Sequence, residues 1–550
     1  MRKAILAFTV LAVIAGCFFF VRPAYRKWRV KSEVTHAREA LTSRDFKGAI
    51  VWLRKALSHD NRSPDAIRLM GDFAESMNSP AAVYWREQLV EVEPSVVPNR
   101  FLLARAALAH GQFPAAAKSL EGVPSGERSN PEYLRLMGAL AVATSRLQEA
   151  EQFFQQALTL QPESDVLRLN LAIVQVQRKD PAIAASARGV FERFVTNAAL
   201  RTDALRQLSL DALRHTNMTR ALPYVRQLAR EREALMPDRL LELEVLKQTR
   251  NFDFADSLSR LQTEVRTNPP AIVELGRWML VSSNAHDCLN WLGTITDGIR
   301  TNIPVTMLVA DCHLAMTNWA ALEALVGKQQ WGEFDYLRYA FLSRALRERN
   351  LSAASKTEWS KAVKFTEGKL DRLAPLQRLV GSWSWPNEYE ELLWTITTKF
   401  PSEKWAMTSL AQLLTAGGKT RPLLSLMAQE YRSDPGNDEI KNNLAALSLL
   451  LGAMEHHPHD LARAVYEKNP GNPVAASTYG FSLYQQNKIN EARAVFEKLD
   501  PQLLQTHSIA GYYALVLAAS GEKEKAKPYA ALAFKGPILP EEGRLFERLR

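Results

Sequence analysis

The feature that most constrains this chain is a helical hairpin pattern that returns about every 34 residues. Its clearest copy is residues 131–162, where Asn130 marks a helix start because an Asn side chain caps free N–H groups. Apolar residues then recur at steps of three and four, the period breaks near Ser145, and a second helix follows. Gly138 and Ala150 are small, which predicts that the two helices pack closely.

A small or apolar residue recurs at the position of Gly138, and we call this residue the marker. Successive markers are 33 to 37 residues apart, except between 310 and 411, where Leu342 and Val380 fit only with spacings of 32 and 38. This register predicts about fifteen hairpins over residues 30–550, degenerate around 340–400. The remaining markers are Ala37, Gly71, Ala104, Gly138, Ala172, Ser209, Leu243, Gly276, Ala310, Ala411, Ala445, Gly480 and Ala514.

The spacings from Gly138 to Ala150, Phe154, Ala157 and Pro162 resemble the tetratricopeptide repeat (TPR), whose period is 34 residues. The resemblance implies an all-α fold, a right-handed superhelical solenoid of stacked hairpins. It further implies that the chain binds proteins along the surface formed by the first helices.

The resemblance also implies that partner-facing positions lie three residues before and one residue after each marker. Six arginines occupy such positions, and their guanidinium groups could hold carboxylates in two-point contacts. They predict a protein partner with an acidic segment or chain terminus, although nearby acids could neutralise them and leave a solvated mixed-charge face. The lysine and asparagine pattern of chaperone-binding family members is absent. The six are Arg38, Arg68, Arg105, Arg135, Arg206 and Arg277.

The N-terminal segment, residues 1–29, is different in kind. Residues 4–21 are an uninterrupted apolar run of about 27 Å as a helix, which is enough to span a bilayer. A retained single-pass anchor is favoured over a cleaved signal peptide. A lipoprotein signal is also open, because residues 14–17 end in Cys17. The basic collar after the run favours a cytoplasmic body, whereas the short basic leader favours, slightly more, an extracytoplasmic one.

The basic composition comes from the same segment. The formal charge is +10, and residues 1–31 hold seven Lys or Arg and no acid, which leaves 10 − 7 = +3 for the rest. Nucleic-acid binding requires excess cations across the folded surface, so no nucleic-acid partner is predicted.

Catalytic and cofactor motifs are not evident. No zinc-protease, phosphate-loop or nucleophile-elbow motif is present, and the repeats leave no block for a catalytic domain. Cys288 and Cys312 are predicted to be buried thiols, with a disulfide as the alternative. His456, His457, His459 and Asp460 offer metal-binding groups, but a solvated loop is favoured, and neither a metal nor a cofactor is predicted.

These patterns predict a membrane-anchored scaffold or assembly factor of the cell envelope, not an enzyme. The alternative function is an accessory protein that contacts an envelope polysaccharide directly through Trp383 and Trp385. That alternative requires exposed rings. The helix that opens at Pro540 is expected to cover the end of the last hairpin. Partner identity, pathway, sidedness and oligomeric state do not follow from the sequence.

Overall fold

The computed structural model describes residues 22–282 and 284–549, and these residues form helices and turns with no strand. The predicted all-α class is confirmed. The chain divides into two compact units, Met1–Trp278 and Met279–Arg550. The predicted anchor at residues 4–21 lies outside the described residues. Within the described part, no helix is both long and apolar enough to cross a bilayer.

The first unit contains seven hairpins and the start of an eighth. The first helices of these pairs are Arg22–Thr42 (α1), Pro64–Ser76 (α3), Val97–Ala109 (α5), Pro131–Ala143 (α7), Asp165–Gln175 (α9), Arg201–Arg214 (α11), Met236–Gln248 (α13) and Pro269–Ser282 (α15), which crosses into the second unit. The second helices are Phe46–His59 (α2), Ala81–Val92 (α4), Phe113–Glu121 (α6), Leu147–Leu160 (α8), Pro181–Phe194 (α10), Met218–Arg230 (α12) and Phe254–Glu264 (α14).

The second unit continues with Ala285–Gly293 (α16) and the single turn Asp297–Arg300 (α17). The first helices of its remaining pairs are Ile303–Ala315 (α18), Asp335–Glu348 (α20), Leu370–Ser382 (α22), Lys404–Ala416 (α24), Asp438–Leu451 (α26), Pro473–Gln485 (α28) and His507–Ala519 (α30). The second helices are Trp319–Lys328 (α19), Ser352–Phe365 (α21), Pro386–Lys399 (α23), Thr420–Ser433 (α25), Pro458–Lys468 (α27), Ile489–Phe496 (α29) and Lys523–Ala533 (α31), and Pro540–Glu547 (α32) ends the chain.

Helix starts follow ordinary capping chemistry. Asn130 accepts a hydrogen bond from the N–H of Glu132 (2.9 Å), as its position before a proline predicts. Ser63 and Asn472 cap their helices in the same way, each before a proline at the first helical position. These caps fix where α3, α7 and α28 begin.

The turn inside the hairpins repeats one backbone conformation. Within the described residues, thirteen of these turns contain a residue with φ between 48° and 86°, and in eleven of them the residue lies seven positions after the predicted marker. The following N–H donates to the carbonyl five residues earlier in the chain, as Arg146 does to Ala141 (2.7 Å), which is the Schellman arrangement. The thirteen are Arg44, Asn78, Gly111, Ser145, Thr216, Arg250, Thr317, Asn350, Ser384, Gly418, Gly452, Asn487 and Gly521.

This turn corrects two marker positions. Counting back seven residues from Asn350 and Ser384 gives Ser343 and Gln377, not Leu342 and Val380. Both are buried, and Ser343 hydrogen-bonds to Ser355 twelve residues later, the same spacing that separates Gly138 from Ala150. The backbone is therefore regular here, and of the two positions only Gln377 departs from the small or apolar pattern.

The marker is small because the second helix packs directly on it. A Cβ added at Gly138 would lie 2.6 Å from the ring of Phe154, and one at Gly480 would lie 2.3 Å from the ring of Phe496. Both rings are buried, and real Cβ atoms do not approach other atoms so closely. The resulting antiparallel pairs are TPR-like hairpins, as the sequence spacing predicts.

Candidate interaction surface

Positions three before and one after each marker form what we call the first-helix face. Three of the six predicted arginines on this face are held by acids of the chain. Arg135 makes two 2.7 Å hydrogen bonds to Glu132 on its own helix, and these raise the pKa of Arg135 despite its burial. Arg68 is bonded to Glu93 at 2.7 Å.

Arg206 is the most firmly held of these arginines. It makes two 2.9 Å bonds to Asp238 and one 2.6 Å bond to Asp203. Burial acts to raise the pKa of Asp238, but the bonds from Arg206 and from the Leu235 N–H outweigh it and lower that pKa. Arg206 therefore joins α11 to α13, which is a structural use of its charge.

The other three arginines are exposed. Arg105 is 52% exposed, and its contact with Glu75 is 3.5 Å long. Arg38 and Arg277 are exposed and make no ion pair within the described part of the chain. The six arginines thus form two groups, and Arg38, Arg105 and Arg277 are those with guanidinium groups accessible to a partner.

A buried arginine that the sequence reasoning missed lies beside Arg68. Arg86 on α4 is 1% exposed, and a Cβ at Gly71 would lie 2.9 Å from its guanidinium. It donates to Asp72 (2.6 Å) and Glu75 (2.8 Å). Burial alone would lower the pKa of Arg86, but these bonds raise it. The guanidinium occupies the place that Phe154 fills in the fourth hairpin. The sequence feature that could have predicted this buried arginine is the pair of acids, Asp72 and Glu75, on the facing helix.

The tryptophans proposed to contact a polysaccharide are buried. Trp383 is 7% exposed and Trp385 is 5% exposed, and their rings pack edge to face at 5.3 Å. Arg347 lies over Trp385, 3.5 Å from the ring centre. A pocket of about 550 Å³ opens next to Trp385, but the ring surface that reaches it is too small to stack on a sugar. The prediction that Trp383 and Trp385 contact a polysaccharide through exposed rings is therefore wrong.

The histidine cluster does not gather into a metal site. His459 shares a 2.8 Å hydrogen bond with Ser482 on α28, whereas His457 has φ 49° in the turn before α27. Across residues 22–282 and 284–549, no group of three or more His, Cys, Asp or Glu side chains could hold a metal ion.

The two described cysteines, Cys288 and Cys312, are buried thiols and not a disulfide. They lie on α16 and α18. The hydrogen bond between the thiols, together with burial, raises the pKa of Cys312. Both thiols are buried and hydrogen-bonded to each other, so this pair has a packing role.

The C-terminal helix lies on the first-helix face of the last hairpins and does not simply cover the last one. Phe546 of α32 is buried in a cluster with Leu449, Phe481 and Leu515, which belong to α26, α28 and α30. A Cβ on Gly511 would lie 2.4 Å from the Phe546 ring. Phe481, Gly511 and Leu515 are all positions three before or one after a marker.

Polar contacts fix the start of this helix. The Tyr512 hydroxyl donates to Glu542 (2.6 Å), and Glu542 also accepts from the Leu539 N–H (2.8 Å). Thr420, 121 residues earlier in the chain, hydrogen-bonds to Glu541. We call the surface of α24, α26, α28 and α30 that contacts residues 537–549 the C-terminal groove.

Comparisons with known proteins identify neither a family nor a function for this chain. No protein-family model matches the chain, and no curated protein matches it. Similar solved structures include the APC/C hetero-tetramer Cut9–Hcn1, at 10% identity and TM-score 0.28, covering 88% of this chain and 98% of that one. Naa15/Naa10 bound to HypK-THB has 13% identity and TM-score 0.27, covering 88% and 77%. PilF of Pseudomonas aeruginosa has 19% identity and TM-score 0.24, covering 44% and 95%. Matches this weak assign no function.

Proposed function

We propose that the chain is a membrane-anchored, non-catalytic scaffold or assembly factor of the cell envelope, and that its first-helix face binds a segment of a partner protein. Binding along an extended face needs no catalytic group, since affinity comes from apolar anchors and charge-assisted contacts. The chemistry of the described residues suits this role, because the buried thiols are hydrogen-bonded to each other and His459 is hydrogen-bonded to Ser482.

One observation carries the proposal. In the last hairpins the first-helix face already binds a helical segment, the chain's own α32, through Phe481, Gly511 and Leu515. Equivalent positions in the earlier hairpins lie on helices of the same type and the same register. The face is therefore suited to holding a protein segment elsewhere in the array.

The proposed partner of the N-terminal hairpins carries an acidic segment or chain terminus. Arg38 and Arg105 supply exposed guanidinium groups on two different first helices, and Arg277 supplies a third on α15. A carboxylate that replaces water around such groups gains a charge-assisted hydrogen bond.

The proposed membrane anchor is residues 4–21, with the body outside the cytoplasm. At the start of α1, Tyr25 and Trp28 are exposed and their rings stack at 5.9 Å. Arg29 lies 6.0 Å from the Tyr25 ring centre. Exposed aromatic rings beside cations are typical of a membrane interface, which supports an anchor immediately before them.

The test is crosslinked affinity capture from native membranes. The parent chain is compared with an Arg38→Glu, Arg105→Glu double variant and with a control, Arg146→Glu, whose exposed side chain lies in a turn and pairs with Glu149. We expect a partner protein that is lost only with the double variant, at equal abundance and helicity. Capture of the same partners by all three chains would reject the arginine surface.

Membrane attachment is tested separately. The full chain and a variant with Leu6→Lys, Val10→Lys and Val13→Lys are fractionated and extracted with alkaline carbonate. We expect the parent chain to stay in the membrane pellet and the variant to be released. Release of the parent chain would contradict a spanning anchor.

A further inference from the structure

The C-terminal helix is a short occupant of its groove, held by Phe546 and by the hydrogen bonds of Glu541 and Glu542. α32 has eight residues, and Phe546 is its one buried side chain. A helix this short has little stability of its own and depends on the surface beneath it. By contrast, α24, α26, α28 and α30 are each 13 or 14 residues long and have apolar side chains buried along their lengths.

The groove continues beyond α32 as an open cavity. A cavity of about 790 Å³ lies between α24 and α26, next to Pro537 and Ile538 at the start of the C-terminal segment. Its apolar lining includes Met407, Met427 and Ile440, and its lining on α24 includes first-helix-face positions. The residues of the C-terminal segment that line this cavity are Pro537 and Ile538, both before the first residue of α32.

The open cavity has a net negative lining. Glu430, Asp434 and Glu439 line it, against one cation, Lys404. Burial and the neighbouring Glu439 raise the pKa of Glu430, so a nearby cation would stabilise its ionised form. This charge is opposite to that of the exposed arginines in the N-terminal hairpins.

We propose that the C-terminal groove is a docking site for a partner helix that displaces α32. The partner places a basic, apolar stretch in the 790 Å³ cavity. Its helix, which has an acidic first turn and an aromatic anchor, takes the place of α32. An untethered partner fills both halves of the groove, whereas α32 fills one. The inference rests on the proposed function and identifies the chemistry of a second partner surface.

The test uses fluorescent peptides and the full chain. The probe is the segment 538–549 preceded by Arg-Leu-Lys-Met, and its control is the same segment preceded by Glu-Leu-Glu-Met. Binding is measured by anisotropy to the parent chain, to Phe546→Ala, and to Phe546→Ala with Gly511→Val. Hydrogen exchange reports whether α32 is released. The apparent Kd equals the intrinsic Kd divided by the fraction of chains whose groove is unoccupied.

We expect the basic probe to bind Phe546→Ala at least tenfold more tightly than it binds the parent chain. We also expect it to bind Phe546→Ala at least tenfold more tightly than the acidic control peptide does. The Gly511→Val substitution fills the aromatic site and should abolish binding while α30 and α31 keep their amide protection. Equal affinity for the parent chain and Phe546→Ala would overturn the proposal, and so would α32 amides that stay protected in Phe546→Ala. Neither outcome bears on capture through Arg38 and Arg105, so the two proposals fail separately.

Discussion

Replacing the buried Arg86 with alanine is expected to weaken the second hairpin by about 3 kcal/mol. The side chain is 1% exposed and donates to two carboxylates, and a hydrogen bond to a charged group contributes about 1.5–3 kcal/mol. Breaking a fully buried ion pair costs about 3–5 kcal/mol. The lower end applies here, because Asp72 is 55% exposed and regains water when the arginine is removed.

The assay is native-state hydrogen exchange on the full chain, read over residues 64–92. A repeat array does not unfold in a single step, so local opening is the appropriate quantity. A loss of about 3 kcal/mol corresponds to exchange about a hundredfold faster. The effect should fade in distant hairpins, because each repeat contacts mainly its neighbours.

Two further variants separate charge from packing. Arg86→Met keeps most of the buried volume and should lose less than Arg86→Ala. Arg146→Ala removes an exposed pair with Glu149 and should change the opening free energy by less than about 0.5 kcal/mol. If Arg86→Ala behaved like Arg146→Ala, the guanidinium would contribute nothing to the hairpin, and the reasoning from burial would be refuted.

Two more predictions concern packing and pH. Gly480→Val should destabilise the fourteenth hairpin by about 1–3 kcal/mol, because its Cβ would lie 2.3 Å from the Phe496 ring. The control is Gly189→Ala, whose Cβ would meet nothing within 4 Å and which should therefore be neutral or stabilising. Hydrogen exchange measures both. The lowered pKa of Asp238 means that its bond to Arg206 contributes stability above the unfolded pKa, about 3.9, and that this contribution is lost as pH falls through the lower folded value. Protection of α11 and α13 should therefore fall at acid pH in the parent chain, and Asp238→Asn should remove that dependence. An unchanged acid response in the variant would contradict the assignment.

The sequence predicted the helical hairpins because their register depends on simple periodic rules. Gly138 and Gly480 are small since a phenyl ring lies on each of them, and this requirement is visible in the residue types. The marker was misplaced at 342 because the apolar Leu342 lies next to the small Ser343, and it was misplaced at 380 because the buried residue at the marker position, Gln377, is polar. A search for small or apolar residues accepts Leu342 as readily as Ser343 and passes over Gln377.

The surface was harder to predict because it depends on contacts between distant residues. The sequence placed six arginines at equivalent positions, but it could not tell that Arg206 is held by Asp238, 32 residues away. The position of α32 was missed for the same reason, since Phe546 meets first helices from three different hairpins. Its sequence signal was Phe546 in a terminal helix that carries three acids and one arginine.

The left-handed turns have a consequence for engineering the chain. Nine of the thirteen turn residues with positive φ are not glycine, and Thr216 and Thr317 are β-branched. An L-residue in this conformation costs roughly 1–2 kcal/mol relative to its right-handed form, and glycine avoids the strain. Each such turn is thus a site at which one substitution, such as Thr317→Gly, relieves local strain without touching the first-helix face. The array can be made more heat-resistant hairpin by hairpin while its binding surface stays unaltered.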